Sequence, residues 1–325
     1  MPGRYERPRH RRGPDAPREN KSRARHAPHI TAGAEPDLVR SERRGRTVVL
    51  TIDHPPVNVL SRAVLDRLIE RVGEVEDDPE ARVVVLASAA EKAFAAGADI
   101  REMASMGPSE ARVHGARGQE ATRVLERLPL PVIAAVHGVC LGGGCEIALA
   151  CDFVLASEDA RFGQPEINLG VMPGWGGTRR LPRRIGAARA RRWILTGASV
   201  SAQAAAAEGL VDRVVPRAEL LPAALALAEE LAAKPPVALA AAKYALAAAI
   251  DPGLEAGLRY ELDLWARLFG TEGQKEGMRA FLAKQPLPSG PRERWAEQSA
   301  GFPWAADATA PGGRKGDKRA GPPQG

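Results

Sequence analysis

Residues His137-Gly-Val-Cys-Leu-Gly-Gly-Gly-Cys-Glu146 carry the chain from an apolar strand into an apolar helix. The three glycines permit a backbone turn that any Cβ would obstruct, and they let a ligand approach closely. The helix that follows directs its free N–H groups and its dipole into that space, which suits a developing oxyanion. Phosphate binding is a rival interpretation, but the segment has neither GxxxxGK(S/T) nor GxGxxG spacing. A tight turn without any ligand is the remaining alternative.

Glu146 is a carboxylate in a short helix whose neighbours, from Cys145 to Cys151, are otherwise apolar. A helix that is hydrophobic on every face is normally buried, and a lone carboxylate there is costly unless it has a partner or a function. Burial would raise its pKa and suit it to proton transfer near neutral pH. We therefore predict a catalytic role for Glu146.

A second carboxylate, Glu166, lies in the apolar, turn-rich segment 162–177. Catalytic groups are often found on loops, although an ordinary loop carboxylate is an equal alternative for Glu166 alone. Two glutamates in apolar settings suggest an acid and a base that act on one substrate. A glycosidase also uses two carboxylates. Its sugar site usually has aromatic side chains, however, and this chain is only 4% aromatic.

Strands alternate with helices in the first two thirds of the chain, and the last third is helical, which predicts an α/β fold with a helical end. Ser61 is a predicted helix cap. The predicted strands are Thr47–Ile52, 82–86, Val132–Val136, 153–156 and 210–215, and the predicted helices follow Ser61 and cover 109–128 and 143–150. Segments 93–98 and 161–178 are predicted to be irregular, and 220–283 to be helical with breaks at Pro235–Pro236, Pro252 and Gly270.

The net charge of +6 comes from the two ends of the chain. Residues 1–36 carry a net charge of +5 and residues 286–325 carry +2, which leaves −1 for the 249 residues between them. Both ends are rich in Pro, Gly and Arg without an apolar period, so we predict disorder there. The basic N-terminal segment allows an alternative function in weak, salt-sensitive RNA binding, although no RNA-recognition motif accompanies it.

Three cysteines, Cys140, Cys145 and Cys151, fit neither a disulfide framework nor a zinc site, and they are typical of a reduced cytoplasmic protein. The histidines have no paired spacing, so we expect no metal. No segment has the roughly 20 apolar residues of a membrane span, and no secretory signal is recognisable.

Long motifs occur along the chain at 91–103 (Glu-Lys-Ala-Phe-Ala-Ala-Gly-Ala-Asp-Ile-Arg-Glu-Met), in the triple-glycine helix and at 162–180. Together they resemble the enoyl-CoA hydratase/isomerase, or crotonase, family, and most closely its hydratases. The similarity continues through 202–215 and 274–281, so it spans about residues 38–285. It implies a spiral of ββα units in an α/β core at 37–235. A helical region at 236–285 would then join subunits into trimers or dimers of trimers. The predicted disordered tails, 1–36 and 286–325, lie outside the similarity.

The resemblance also implies a site for an acyl-CoA thioester, with no separate cofactor because CoA is part of the substrate. The N–H groups of Ala98 and Gly143 would form an oxyanion hole, and Gly174 would lie beside the reacting water. Glu146 would mainly activate the water and Glu166 would mainly protonate C2, although a coupled pair can share these protons. The residues expected along the CoA moiety and the thioester are Ala96, Ala98, Asp99, Ile100, Arg101, Gly143 and Gly174.

Both glutamates are present, which favours hydration, with isomerisation of the double bond as an expected side activity, in fatty-acid β-oxidation or a related acyl-CoA pathway. Relatives that only isomerise, dehalogenate or cyclise often lack one or both. Two residues depart from the family pattern. His137 stands where Asn is frequent, and Trp175 stands where a small residue is frequent in the Pro-Gly-x-Gly-Gly turn. A side chain of that size either reshapes the acyl pocket or packs away from it.

Overall fold

The computed structural model describes residues 37–248 and 254–285. A six-stranded sheet forms its centre, in the order β1-β2-β3-β5-β7-β10. These strands are β1 (Val39–Arg44), β2 (Thr47–Ile52), β3 (Val83–Ser88), β5 (Val132–Val136), β7 (Phe153–Ser157) and β10 (Arg213–Val215). Only β1 and β2 pair in antiparallel fashion within this sheet, and the other neighbours are parallel. The nearly continuous apolar runs of β2, β3 and β5 fit a parallel sheet that is covered on both faces.

A second, smaller sheet has four strands in the order β4-β6-β8-β9. Its strands are β4 (Ala93–Ala95), β6 (Val139–Leu141), β8 (Arg161–Gly163) and β9 (Ser199–Ser201). The strands β3, β5 and β7 of the large sheet are thus followed by β4, β6 and β8 of the small sheet. A helix comes after each pair, which is the ββα repetition that the family resemblance predicts.

Eleven α-helices are present among the described residues. They are α1 (Arg62–Asp77), α2 (Ile100–Met103), α3 (Pro108–Arg127), α4 (Gly143–Leu149), α5 (Gly177–Ile185), α6 (Ala187–Thr196), α7 (Ala202–Glu208), α8 (Leu220–Ala232), α9 (Pro236–Ala248), α10 (Leu254–Leu268) and α11 (Glu272–Leu282). The predicted cap of α1 is confirmed, because the Ser61 hydroxyl accepts a hydrogen bond from the Val64 N–H at 3.4 Å. No helix of the described part has the length and apolarity of a membrane span.

The helical end of the chain is attached to the sheet by a largely buried cation. Lys243 of α9 donates to Asp152 Oδ2 at 2.7 Å and to the Leu130 carbonyl at 3.0 Å. Its side chain is only 10% exposed. The predicted helix break at Pro235–Pro236 is confirmed, because Pro235 separates α8 from α9 and Pro236 begins α9. The predicted break at Gly270 falls between α10 and α11. The break at Pro252 and the tails 1–36 and 286–325 lie outside the described residues.

Several predictions of local structure were wrong. Segment 93–98 contains β4, the glycine turn contains β6, and segment 161–178 contains β8, a 3-10 helix at Pro165–Leu169 and the start of α5. Strands of three residues are too short to show a periodic hydrophobic pattern in the sequence. They form because they pair with segments that are distant along the chain. Strands β1 and β9 and helices α2, α5, α6 and α7 were not predicted. The strand predicted at 210–215 is shortened to β10.

Candidate active site

The triple-glycine turn is required by a close approach between backbones. A Cβ at Gly144 would lie 2.2 Å from the Ala95 carbonyl oxygen of β4, so any side chain there would separate α4 from the small sheet. Gly142 has φ +53°, in the left-handed region that favours glycine. Its N–H donates to the Gly163 carbonyl at 3.0 Å, and its own carbonyl accepts from the Glu146 N–H. The turn therefore fixes the start of α4 against both neighbouring strands.

The two predicted oxyanion donors line the same cavity. Gly143 is the first residue of α4, so its N–H has no acceptor within that helix. The Cβ position of Gly97 is 3.8 Å from the Gly143 nitrogen, which brings the following residue, Ala98, close to Gly143. Both Ala98 and Gly143 line a cavity of about 300 Å³. The arrangement can present two N–H groups to one oxygen atom of a ligand.

Glu146 is 2% exposed and is held by the turn that precedes α5. Its Oε1 accepts hydrogen bonds from the N–H groups of Trp175 at 2.8 Å and of Gly177 at 2.7 Å. Burial raises the pKa of Glu146, although these two bonds and the charge of Arg180 act in the opposite direction. Both bonds hold the same oxygen, so they orient the carboxylate without engaging Oε2.

Glu166 lies in the 3-10 helix Pro165–Leu169 and is half-buried. Burial, followed by the negative charge of Glu146, raises the pKa of Glu166 to about 7. The buried side-chain amide of Gln164 lies 2.9 Å and 3.2 Å from the two carboxylate oxygens, and it donates to both when its nitrogen faces Glu166. A carboxyl group with this pKa can give or take a proton at neutral pH.

The cavity brings most of the predicted site together. Both glutamates line it, together with Ala96, Ala98, Ile100, Gly143 and Gly174. Asp99 and Arg101 lie outside its lining, at the start of α2, where Asp99 Oδ1 accepts a hydrogen bond from the Arg101 N–H at 2.9 Å. The lining is otherwise rich in apolar side chains, as expected for a site that binds an acyl group.

Helix α3 holds the turn that carries the donors to Glu146. The Trp175 carbonyl accepts from the Thr122 hydroxyl and from Arg180 Nη1, each at 3.0 Å. Arg180 also pairs with Glu126 at 2.7 Å. We did not predict roles for Gln164, Thr122 or Arg180 from the sequence. Of these three residues, only Gln164 could have been predicted from its position, because it lies two residues before Glu166 in the same motif.

The two departures from the family pattern have different outcomes. Trp175 is 4% exposed and lines the cavity with both glutamates, so the outward-packed alternative is wrong. His137 lies outside the cavity lining, where its Nε2 is 2.8 Å from the Ala90 carbonyl oxygen. Burial lowers the pKa of His137.

Comparison with known proteins identifies the family of the chain. The enoyl-CoA hydratase/isomerase family matches residues 42–289. A short-chain-enoyl-CoA hydratase of Clostridium acetobutylicum is 42% identical over 247 residues, which cover 76% of this chain and 95% of that protein. A crotonyl-CoA hydratase of Syntrophomonas wolfei is 40% identical over 245 residues, with coverage of 75% and 94%. The crystal structure of an enoyl-CoA hydratase from Bacillus anthracis has a TM-score of 0.74 at 38% identity, with coverage of 77% and 98%. The chain therefore belongs to the enoyl-CoA hydratase/isomerase, or crotonase, family and has the crotonase fold.

Proposed function

We propose that this enzyme is a hydro-lyase that adds water across the C2=C3 double bond of a 2-enoyl-CoA thioester. The observation that carries the proposal is the convergence of Glu146 and Glu166 on one cavity that also exposes the start of α4. The two relatives named above are hydratases of enoyl-CoA and crotonyl-CoA. Fatty-acid β-oxidation, or another acyl-CoA pathway, would supply such a substrate.

Polarisation of the thioester carbonyl is the first requirement, because a 2-enoyl thioester is a weak electrophile at C3. The N–H groups of Ala98 and Gly143 would hold the carbonyl oxygen as it gains negative charge. Removing one such donor typically costs about 10²–10³ in turnover. The start of a short helix adds a positive dipole end at the same point.

The glutamates would then divide the proton transfers. Glu146, held through Oε1 by two N–H groups, would use its other oxygen to orient water and take its proton as the oxygen attacks C3. Glu166 would deliver its proton to C2 of the enolate. A pKa of about 7 supports this assignment, because a substantial fraction of Glu166 is then protonated at neutral pH.

Glu146→Gln and Glu166→Gln test this division. Each should reduce hydration of crotonyl-CoA by about 10² or more, measured as loss of the conjugated enoyl absorbance. Moving a double bond from C3 to C2 needs no water, so any 3-enoyl-CoA isomerase activity should survive Glu146→Gln better than hydration does. It should fall with Glu166→Gln. The opposite pattern would exchange the two roles, and unchanged hydration in both variants would refute the mechanism.

We further propose that the region 236–285 joins subunits into a homotrimer or a dimer of trimers. Helices α10 and α11 expose large apolar side chains, including Leu262, Trp265, Phe281 and Leu282, with exposed fractions between 56% and 82%. An apolar surface of this kind supports a protein–protein interface. Sedimentation equilibrium should give three or six subunits, and a monomer at micromolar concentration would contradict the proposal.

A cytoplasmic location is supported by the three cysteines, which are all buried and unpaired. The alternative function, RNA binding through residues 1–36, has no support from the named relatives. Those residues lie outside the described structure.

A further inference from the structure

Trp175 occupies space that two glycines leave open beside the reacting groups. A Cβ at Gly118 of α3 would lie 2.1 Å from the Trp175 ring, and a Cβ at Gly143 of α4 would lie 2.3 Å from it. The indole therefore fills the gap between α3 and α4 at the two positions, Gly118 and Gly143, where these helices carry glycine. Because Gly143 is also the proposed oxyanion donor, the ring stands next to the position of the thioester.

The indole packs against a second ring that separates two cavities. The ring centres of Trp175 and His114 are 5.8 Å apart, with a tilt of 48°. His114 and Met106 line the 300 Å³ catalytic cavity, and they also line a neighbouring cavity of about 650 Å³ between α1 and α3. They are the two residues common to both linings, so they form the partition between the cavities.

The His114 ring of this partition has a buried edge that makes no hydrogen bond to any described residue. His114 Nε2 is enclosed and has no hydrogen-bond partner among the described residues. A ring without a hydrogen bond at that edge depends on its neighbours for its position, and Trp175 is an aromatic neighbour in contact with it. Loss of the indole would therefore free His114 to move and would connect the two cavities.

The catalytic cavity alone is small for its proposed ligand. Small-molecule sites usually measure about 300–1,000 Å³, and this one lies at the lower end although it must hold a thioester and an acyl chain. We propose that Trp175, with His114 behind it, forms the end wall of the acyl pocket and restricts the enzyme to short-chain 2-enoyl-CoA thioesters. This inference rests on the proposed function and assigns its substrate class.

Binding of saturated acyl-CoA thioesters tests the wall without any requirement for catalysis. The wild-type protein should bind butanoyl-CoA at least about tenfold more tightly than decanoyl-CoA by titration calorimetry, since even one methylene in a pocket can change selectivity about 10–200-fold. Trp175→Leu should raise the relative affinity for decanoyl-CoA by at least the same factor. The matched control is Trp193→Phe, which changes a buried tryptophan of α6 outside the cavity and should leave the ratio unchanged.

Rates should follow the affinities, so the ratio of kcat/KM for 2-decenoyl-CoA to that for crotonyl-CoA should rise in Trp175→Leu. Equal affinity of the wild-type protein for the two saturated thioesters would overturn the proposal even if the variant does not fold. An unchanged ratio in a folded Trp175→Leu variant would overturn it as well. If the wild-type protein binds these thioesters but hydrates no 2-enoyl-CoA, the proposed function fails while the affinities still decide the role of Trp175.

Discussion

Hydration should slow above neutral pH because Glu166 must carry the proton that goes to C2. Burial and the charge of Glu146 raise the pKa of Glu166 to about 7. The protonated fraction is then about one half at pH 7, about a tenth at pH 8 and about a hundredth at pH 9. The value of kcat/KM for crotonyl-CoA should therefore fall about tenfold between pH 8 and pH 9. An acidic limb is also expected, because Glu146 must be ionised to accept a proton and its pKa is raised too.

The assay is the initial rate of loss of enoyl absorbance at constant ionic strength, with circular dichroism at each pH to verify the fold. Glu91→Gln serves as a control, since Glu91 is exposed and does not line the cavity, and it should reproduce the wild-type profile. Infrared titration of the carboxyl band should also show that Glu146→Gln lowers the pKa of Glu166, because one negative charge is removed. A rate that stays level from pH 7 to pH 9 in folded protein would refute the assignment of neutral Glu166 as the proton donor.

The same raised pKa has a consequence for stability. An unfolded glutamate has a pKa near its reference of about 4.3, so folded Glu166 binds a proton more tightly than the unfolded chain does. The resulting stabilisation is present below pH 4 and is lost as pH rises through about 7. Glu166→Gln cannot lose it, and its Tm relative to the wild-type protein should therefore be higher at pH 8 than at pH 5. An equal difference at both pH values would contradict the raised pKa.

Three further predictions concern the scaffold. Lys243→Met should lower the free energy of unfolding by about 3 kcal/mol, which is the lower end of the range for breaking a buried ion pair. Lys275→Met, at an exposed pair, should change the free energy of unfolding little. Equal urea midpoints for the two variants would contradict this prediction. Gly118→Ala should destabilise the protein by about 1–3 kcal/mol through overpacking against Trp175, and the cost should largely disappear in a Trp175→Leu background; an undiminished cost would place the strain elsewhere. A chain of residues 38–285 should keep hydratase activity within a few-fold and lose any RNA affinity, and an inactive or RNA-binding product would contradict the assignment of the tails.

The elements that sequence alone predicted correctly are those with a local signal. Thr47–Ile52 and Val132–Val136 are strands at the predicted bounds because their apolar runs fit a sheet covered on both faces. Ser61 caps α1 because a hydroxyl precedes a helical apolar period. The burial of Glu146 followed in the same way from the apolar residues around it.

The elements that sequence missed depend on partners far along the chain. Strand β4 reads as a loop of small residues, and its pairing with β6 across more than forty residues makes it a strand. Trp175 departs from the family pattern, but the sequence of the turn alone does not show whether its side chain packs toward the acyl pocket or away from it. Gly118 of α3 leaves the space that the indole enters, and nothing near Trp175 in the sequence indicates it.

The turn at 173–177 performs two tasks with different parts of the same residue. Its main chain is fixed by Thr122 and Arg180 and directs N–H groups at Glu146, while the Trp175 side chain closes the acyl pocket. Any residue except proline can donate this hydrogen bond from its main chain. A substitution at Trp175 can therefore alter the acyl group that fits while the orientation of Glu146 is retained. This separation explains how a residue whose own N–H holds Glu146 can depart from the family pattern in an enzyme that keeps both glutamates.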